Sequence, residues 1–203
     1  MKHAMLKAGA LALCLVATQA WATNWLKVAE KAAQSIDDRS ATVQHRGTIE
    51  YAFSPREGGE KLVLKVIDSA QSEIRVMAYA LTSARIVEAL IQARRRGVDV
   101  AVVADYEQNV TNDKYGKARA ALSALVTAGC RVRTISVYQI NHDKVIVADR
   151  ETVETGSFNF SSSAANRNSE NVMVIWKNPD LARGYLAHWQ DRFSKGEDYR
   201  TNY

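Results

Sequence analysis

The amino-acid sequence predicts an α/β fold in which a mostly parallel, mixed β-sheet carries helices on both faces. From residue 48 onward, short runs of β-branched residues alternate with stretches in which apolar residues recur at helical spacing. This alternation is typical of parallel strands joined by crossover helices. No internal repeat or low-complexity linker interrupts the pattern. We therefore expect one domain over residues 48–203, which is long enough to bury a full core.

The first 22 residues have the features of a secretory signal peptide. Two lysines precede the apolar run 8–17, and Ala20-Trp21-Ala22 has the small-x-small pattern of a cleavage site. The apolar run is too short to span a bilayer, which disfavours an N-terminal membrane anchor. Cleavage would begin the mature chain at Thr23 and, by removing two of the 27 basic and none of the 22 acidic residues, leave a net charge of +3. The predicted location is periplasmic or secreted, with no stable membrane association.

Residues 23–47 are predicted to form an N-terminal arm of uncertain structure. Trp25, Leu26 and Val28 suggest a short amphipathic helix, either in a mobile arm or in a segment that packs in a dimer. Signal cleavage would leave Cys130 as the one cysteine, so an intramolecular disulfide is not possible. We interpret Cys130 as a small buried apolar residue, and pairing between chains stays open.

The first half of the domain is predicted to hold two strands and two helices. Residues 49–53 and 74–80 are apolar runs of strand length, whereas residues 59–70 place leucine, valine and isoleucine at helical spacing. Ser83 is a suitable N-cap for the second helix, which ends at the basic run Arg94-Arg95-Arg96.

Two more strands and a helix follow. Residues 98–104 are predicted to form a buried strand, residues 114–128 a helix and residues 132–137 another strand. The segment Asp105-Tyr106-Glu107 follows a strand directly, at a position where loops of α/β folds often build sites. Its role is left open.

The three consecutive arginines allow two interpretations. Basic residues in the last turn of a helix complement the helix dipole, which is a sufficient structural reason for them. Contact with the phosphates of a polyanion is the alternative, and a sequence pI of about 9.2 suits such a partner. Further cations fall on neighbouring elements: Arg85, Lys114, Lys117, Arg119, Arg131 and Arg133.

A cluster of polar residues accompanies two short strands between residues 141 and 170. Residues 145–148 form an apolar run, and His142 and Lys144 point to the same side because side chains alternate along a strand. A turn at residues 149–151 leads to a returning strand, after which Gly156 is expected to permit an unusual backbone angle. Ser157 and Asn159 again share one side, so an antiparallel arrangement would bring the four polar groups together.

These residue types suit phosphoryl transfer. A lysine supplies a point charge for a phosphate oxygen, asparagine and serine supply neutral donors, and a histidine can attack phosphorus or transfer protons. Zinc normally needs three or four ligands, and the remaining histidines and cysteine of the mature chain, His45, His188 and Cys130, are scattered. We therefore predict no metal and no cofactor. His188 is interpreted as a surface or packing residue.

The spacing of these residues resembles the HKD signature of the phospholipase D superfamily. His142-x-Lys144 is followed after four residues by Asp149 and after six more by Gly156-Ser157, and Asn159 continues the pattern. Within the superfamily, the chain most resembles the small Nuc-like bacterial endonucleases that carry one HKD motif per chain. The resemblance extends over residues 48–193 and implies a phospholipase D-like α/β/α sandwich.

The resemblance also implies the site. It assigns catalytic roles to His142, Lys144, Ser157, Asn159 and Glu170, and phosphate binding to Lys144, Ser157 and Asn159. Glu170 would hydrogen-bond His142 and fix its tautomer. Asp149 belongs to the signature but ranks below the other five residues, because at a strand end its role can be limited to organising the turn or the charge network.

Two HKD histidines are understood to act together in this superfamily, one attacking phosphorus and one protonating the leaving oxygen. Since the chain holds one copy, we expect a symmetric homodimer with a shared site. The predicted function is that of an exported, metal-independent, non-specific endonuclease acting on DNA, with RNA left open. A phospholipase D acting on lipids is the first alternative, and it should show an exposed apolar rim. A non-catalytic nucleic-acid-binding protein is the second.

The chain after the motif is expected to complete the domain. Residues 161–167 should form a short helix and residues 172–176 a strand with Glu170 at its head. A closing helix then begins at Pro179, with an apolar side that includes Trp189 and Phe193.

Overall fold

The structure is a computed structural model, and it describes residues 41–44 and 47–201. The predicted signal peptide and most of the predicted arm lie outside these residues, so the domain boundaries stay predictions. Among the helices of the described ranges, none is long and apolar enough to cross a membrane.

The described strands form one sheet in the order β1-β7-β6-β5-β2-β3-β4-β8. The strands are β1 (Ile49–Ser54), β2 (Glu73–Ala78), β3 (Asp99–Asp105), β4 (Arg131–Ile135), β5 (Lys144–Ala148), β6 (Thr152–Gly156), β7 (Glu170–Ile175) and β8 (Glu197–Asp198). The helices are α1 (Gly59–Ser69), α2 (Ala84–Arg95), α3 (Lys117–Thr127), α4 (Ser162–Asn166) and α5 (Pro179–Lys195), with a π-helical turn at Glu107–Thr111. Every helix and strand predicted for residues 49–193 is present, with ends that differ by a few residues.

The sheet is mixed and mostly antiparallel, so the prediction of a mostly parallel sheet is wrong. Among the described strands, the pairs β2–β3 and β3–β4 are parallel and the other five pairs are antiparallel. The parallel pairs are those whose strands are connected by the long helices α2 and α3, as the alternating pattern predicts. Helix α1 likewise connects β1 to β2, but these two strands are not neighbours in the sheet.

Short connections explain two of the five antiparallel pairs, β5–β6 and β6–β7. β5 and β6 are joined through Asp149 and Arg150, which both have positive φ angles, 52° and 60°, and the Glu151 amide donates to the Ala148 carbonyl at 3.1 Å. Two successive left-handed residues are the mark of a type I′ turn, which joins only antiparallel strands. β6 and β7 are joined through the five-residue helix α4, which returns the chain to the same end of the sheet.

Helices cover both faces of the sheet, as predicted. Helices α1, α2 and α3 pack on one face over a core that includes Leu90 and Leu122. Helix α5 packs on the other face, where the Trp189 and Phe193 rings stack with centroids 4.5 Å apart. The Trp189 indole also donates to the Val76 carbonyl at 3.1 Å, which ties α5 to β2.

One end of the sheet collects the polar residues of the motif, and we call it the polar end. There the carboxyl ends of β2, β3 and β6 meet the amino ends of β5 and β7. Asp105, Lys144 and Glu170 are the terminal residues of their strands at this end. The β5–β6 turn lies at the opposite end.

Two of the three consecutive arginines bind backbone carbonyls at the ends of neighbouring helices. Arg94 Nε donates to the Gly129 carbonyl at 3.0 Å, and an Arg96 nitrogen donates to the Ile67 carbonyl at 3.1 Å. Helix ends leave such carbonyls without partners inside the helix. Because the run also precedes β3, at the opposite end of the sheet from the motif, its contacts support the structural interpretation.

Candidate active site

His142 and Lys144 lie at the polar end in contact with one aromatic ring, that of Tyr79. The rings of Tyr79 and His142 meet edge to face with centroids 4.6 Å apart, and Lys144 Nζ lies 5.2 Å from the Tyr79 centroid. Lys144 Nζ also donates to the His142 carbonyl at 2.6 Å. The contact with Tyr79 therefore fixes the imidazole and the ammonium relative to each other.

Lys144 is largely withdrawn from water, because the residue is only 6% exposed. Burial lowers the pKa of Lys144, and the Asp143 and Glu170 carboxylates oppose that change only in part. A cation that has lost hydration and lacks a direct carboxylate partner gains strongly from an incoming anion. Lys144 is thus a cation that an incoming anion would stabilise.

Ser157 and Glu170 form a second group within the site. Ser157 Oγ donates to Glu170 Oε2 at 2.6 Å and accepts from the Asn171 amide at 3.1 Å, while Asn168 Nδ2 donates to Glu170 Oε1 at 3.0 Å. Both carboxylate oxygens are therefore occupied. Among the described residues, no hydrogen bond joins Glu170 to the His142 ring, so its predicted role in fixing the His142 tautomer stays a prediction.

Gly156 lets β7 approach the motif closely. A Cβ atom at Gly156 would lie 2.2 Å from the Asn171 carbonyl oxygen, which belongs to the backbone. Gly156 lies in β6 and has no left-handed φ angle, so the expectation of an unusual backbone angle is wrong. The glycine is required by proximity: it allows the Ser157 amide to donate to the same Asn171 carbonyl at 3.1 Å.

Asn159 continues the motif into the loop after β6. Its side-chain oxygen is buried and has no hydrogen-bond partner among the described residues. The next residue is held firmly, because the Phe160 carbonyl accepts from the amides of Thr82 at 2.8 Å and Ser83 at 2.9 Å. Asn159 thus offers an unused polar group on a fixed backbone.

Asp149 lies at the opposite end of the sheet from the other five predicted site residues. Its carboxylate accepts from the amides of Gln71 (2.8 Å), Ser72 (2.7 Å) and Glu73 (3.0 Å) and from the Ser72 hydroxyl (2.8 Å). Burial raises the pKa of Asp149, but these donors outweigh it and hold the pKa below its usual value. The geometry places Asp149 in the link between the β5–β6 turn and the start of β2.

Two buried residues position the site: sequence reasoning noted Asp105 but left its role open, and it missed Asn109. Asp105, 3% exposed, accepts from the Asn141 amide at 2.8 Å through Oδ2 and from the Gln108 amide at 2.7 Å through Oδ1. Asn109, fully buried, donates to the carbonyls of Tyr79 at 2.6 Å and Asp105 at 2.7 Å. One network therefore holds both the segment before His142 and the backbone of Tyr79. The strand-end position of Asp105 was the available signal, and Asn109 had none.

A cavity of about 290 Å³ opens beside His142 on the α5 side of the sheet. Tyr138, Ile140, His188 and Arg192 line it together with His142. His188 Nε2 lies 3.2 Å from Asp143 Oδ2, so this histidine belongs to the wall of the cavity. Within residues 41–44 and 47–201, no group of three or more His, Cys, Asp or Glu side chains is arranged to hold a metal ion.

Comparison with known proteins gives consistent matches. Residues 63–193 match the family model described as cardiolipin synthase, PLD-like domain. A phospholipase D of Rickettsia felis is 38% identical over 147 residues, which are 72% of this chain and 70% of that protein.

Two solved structures share the fold. Nuc, a phospholipase D family member from Salmonella typhimurium, aligns with a TM-score of 0.72 and 46% identity, covering 75% of this chain and 98% of that one. NucT from Helicobacter pylori aligns with a TM-score of 0.65 over 75% of this chain and all of that one, and at 20% identity this likeness concerns the fold alone.

Proposed function

Because this chain belongs to the phospholipase D superfamily and is a phosphodiesterase of that family, we propose that it is a metal-independent endonuclease that cleaves DNA. The observation that carries the proposal is the His142–Lys144 pair on the Tyr79 ring, in a chain 46% identical to Nuc over nearly all of that protein. RNA is a second substrate to be tested.

The proposed reaction has two steps. A ring nitrogen of one His142 attacks phosphorus, the bond from phosphorus to the departing sugar oxygen breaks, and a second, protonated His142 gives that oxygen a proton. The second histidine, now neutral, takes a proton from water, whose oxygen attacks phosphorus and releases the first histidine. Lys144, Asn159 and Ser157 hold the non-bridging oxygens, so that charge shifting onto them is stabilised.

The second His142 comes from a partner in this proposal. One chain holds one HKD motif, and a symmetric homodimer with its motifs at the two-fold axis would supply the second. The engagement of both Glu170 oxygens by Ser157 and Asn168 supports a role for Glu170 in shaping the site wall of its own chain. Export to the periplasm or medium is also proposed, on the basis of residues 1–22.

A phospholipase D acting on lipids is the second candidate, and one observation favours it. Val137 and Ile140, in the loop that leads to His142, are 59% and 52% exposed, and Ile140 lines the cavity beside His142. Exposed apolar side chains around a pocket are the expected mark of a lipid-cleaving enzyme. The Rickettsia felis relative carries the name phospholipase D.

Cleavage of plasmid DNA tests the proposal. Residues 23–203 would be incubated with supercoiled plasmid in excess EDTA and in magnesium, in parallel with His142→Ala, whose folding and assembly are checked by circular dichroism and light scattering. We expect nicking that survives EDTA and is lost in the variant. An enzyme that leaves DNA and RNA intact but hydrolyses phosphatidylcholine vesicles in a His142-dependent way would overturn the nuclease proposal in favour of the lipid enzyme.

A further inference from the structure

A second cleft, of about 400 Å³, lies at the polar end on the side of α3. We call it the α3 cleft and define it by Lys114, Tyr115, Lys117, Ser163 and Arg167, which line it. None of these side chains has a role in the chemistry described above. The cleft is therefore an independent feature of the surface around the site.

The α3 cleft is positively charged because its cations lack acidic partners. Besides the three consecutive arginines, the sequence analysis noted six cations outside the motif. Four of these form ion pairs: Arg85 with Glu60, Arg119 with Asp113, Arg131 with Asp99 and Arg133 with Asp198. Lys114 and Lys117 pair with no carboxylate among the described residues, and both line the cleft. Arg167 joins them and donates to the Ser163 hydroxyl at 2.6 Å.

The acidic residue in the cleft wall does not cancel this charge. The Asp113 side chain is 7% exposed and lies 3.5 Å from Arg119 Nε, and its carboxylate also accepts from the Arg119 amide at 2.9 Å. Three cations therefore face a cleft whose carboxylate is already engaged. Such an arrangement attracts an anion carrying several charges.

An aromatic ring stands among these cations. Tyr115 is 86% exposed, the most exposed of the large apolar or aromatic side chains in the described ranges. An exposed aromatic side chain beside cations that track a phosphate backbone is the usual platform for an unpaired base. In a duplex, base faces are covered by their neighbours, so such a platform favours single strands.

The α3 cleft is continuous with the motif. Ser162 and Ser163 follow the Gly156-to-Asn159 segment after two residues and form one wall. Thr82 lines another wall, and its amide donates to the Phe160 carbonyl at 2.8 Å. A strand bound in the cleft would thus follow these segments toward a phosphodiester at Lys144.

We propose that the α3 cleft binds a single-stranded stretch of nucleic acid next to the phosphodiester that is cut, with a base stacked on Tyr115 and phosphates on Lys114, Lys117 and Arg167. This proposal rests on the proposed nuclease function and adds the form of the substrate. Bases beyond the scissile bond would stack without regard to sequence, because every base has an aromatic face.

Binding is measured by fluorescence anisotropy with a labelled single-stranded DNA oligonucleotide, in the His142→Ala background so that nothing is cut. Tyr115→Ala should weaken single-strand binding by about 5- to 20-fold and duplex binding much less. Tyr51→Ala is the matched control, since Tyr51 is 68% exposed on the β1 edge strand and does not line the cleft. Equal affinities for Tyr115→Ala and Tyr51→Ala, or an equal loss for both nucleic-acid forms, would overturn the proposal.

The lysines are tested through the salt dependence of binding. A double variant in which Lys114 and Lys117 are both replaced with Ala should show a shallower plot of log affinity against log salt. The slope should fall in magnitude by about 1 to 1.5, as expected for two lost phosphate contacts on a single strand. Lys61→Ala, on the exposed side of α1, should leave the slope unchanged. An unchanged slope in the double variant would remove the lysines from the proposal.

Catalysis is followed separately with bis(4-nitrophenyl) phosphate, a small diester that carries no base to stack on Tyr115 and no further phosphates for the cleft lysines. With His142 present, Tyr115→Ala should hydrolyse it at the wild-type rate while its KM for single-stranded DNA rises. If wild-type protein cut no nucleic acid but bound single strands through Tyr115, the nuclease proposal would fail and the binding site would stand. If the protein cut nucleic acid and Tyr115→Ala had no effect, the nuclease proposal would stand and the proposed binding role of the α3 cleft would fail.

Discussion

The Asp105 carboxylate accepts a hydrogen bond of 2.8 Å from the backbone amide of Asn141, the residue directly before His142. The two partners are 36 residues apart and both are buried. The position of the imidazole thus depends on a carboxylate at the end of another strand. Asn109 extends the same control to Tyr79, the ring on which His142 rests.

Asp105→Asn should slow the reaction with little effect on substrate binding. In either orientation, the asparagine NH₂ group would face one of the two backbone amides, that of Asn141 or that of Gln108, and that hydrogen bond would be lost. The segment before His142 would then shift. We expect kcat for bis(4-nitrophenyl) phosphate to fall about tenfold or more, since small displacements of reacting groups are costly. Asp180→Asn, whose carboxylate pairs with Arg183 on α5, is the control. A kcat within twofold of wild type would contradict the assignment.

Asp149→Asn should reduce stability and spare catalysis. Asparagine tolerates the left-handed backbone of the turn but loses the charge that four donors bind. We expect the free energy of unfolding to fall by about 1–3 kcal/mol and kcat/KM to stay within about twofold. Because the folded pKa of Asp149 is lowered, its stabilisation is present above the pKa of the unfolded chain and is lost as pH falls through the folded pKa.

The difference in unfolding free energy between wild type and Asp149→Asn should therefore become smaller in acid. Urea unfolding at several pH values measures this difference. Asp68→Asn, at an exposed position in α1, should be neutral at every pH. A large loss of kcat/KM in Asp149→Asn with unchanged stability would instead place Asp149 in the chemistry.

Glu154 should make the protein less stable as pH rises. Its side chain is fully buried in β6, and neither carboxyl oxygen has a hydrogen-bond partner among the described residues. Burial raises the pKa of Glu154 well above its usual value. The polar backbone of Ile146, its partner on β5, lowers the pKa only in part. The unfolded chain releases the proton first, so the free energy of unfolding falls between about pH 4.5 and the folded pKa, by up to about 1.4 kcal/mol per pH unit.

Glu154→Met, of similar volume, should flatten that dependence and raise the melting temperature most at high pH. Thermal unfolding from pH 5 to pH 8 measures it, and Glu57→Gln at an exposed position should follow the wild-type curve. Parallel curves for wild type and Glu154→Met would show that Glu154 does not hold a proton in the folded state.

Cys130 should be unreactive in the folded protein. Burial raises the pKa of its thiol to about 11, the nearby Arg94 opposing only in part, and the residue is 6% exposed. Residues 23–203 should react slowly with a thiol reagent at pH 8 and release one equivalent of product after unfolding. A disulfide-linked dimer on a non-reducing gel would contradict this and restore the pairing between chains that the sequence leaves open.

Gly156→Ala should disturb the site through its backbone. The new Cβ would collide with the Asn171 carbonyl, so β6 and β7 must separate where Ser157 meets Glu170. We expect a loss of at least about 2 kcal/mol in unfolding free energy, together with lower kcat. Gly184→Ala is the matched control: nothing lies within 4 Å of its Cβ, and in the middle of α5 the change should stabilise by about 0.5–1 kcal/mol. Equal stability of the two variants would contradict the close approach.

The sequence allowed prediction of features that depend on neighbouring residues. The β5–β6 hairpin, the Ser83 cap of α2 and the apolar side of α5 all follow from local spacing. The antiparallel direction of β7 relative to β6 did not follow from local spacing. The alternation of strands and helices does not show that α4 fails to cross the sheet. The contacts of Asp105 and Asn109 join distant segments, and no local pattern encodes them.

The pairing of β1 with β7 bears on the order in which the parts of this domain can fold. β1 is an edge strand, and its neighbour in the sheet, β7, is made more than a hundred residues later. Until β7 has formed, the first strand lacks its partner, and local contacts cannot replace a partner so distant in sequence. Folding should therefore begin with β2, β3 and α2, which are close in sequence, and the half of the sheet that holds Ser157 and Glu170 should assemble last.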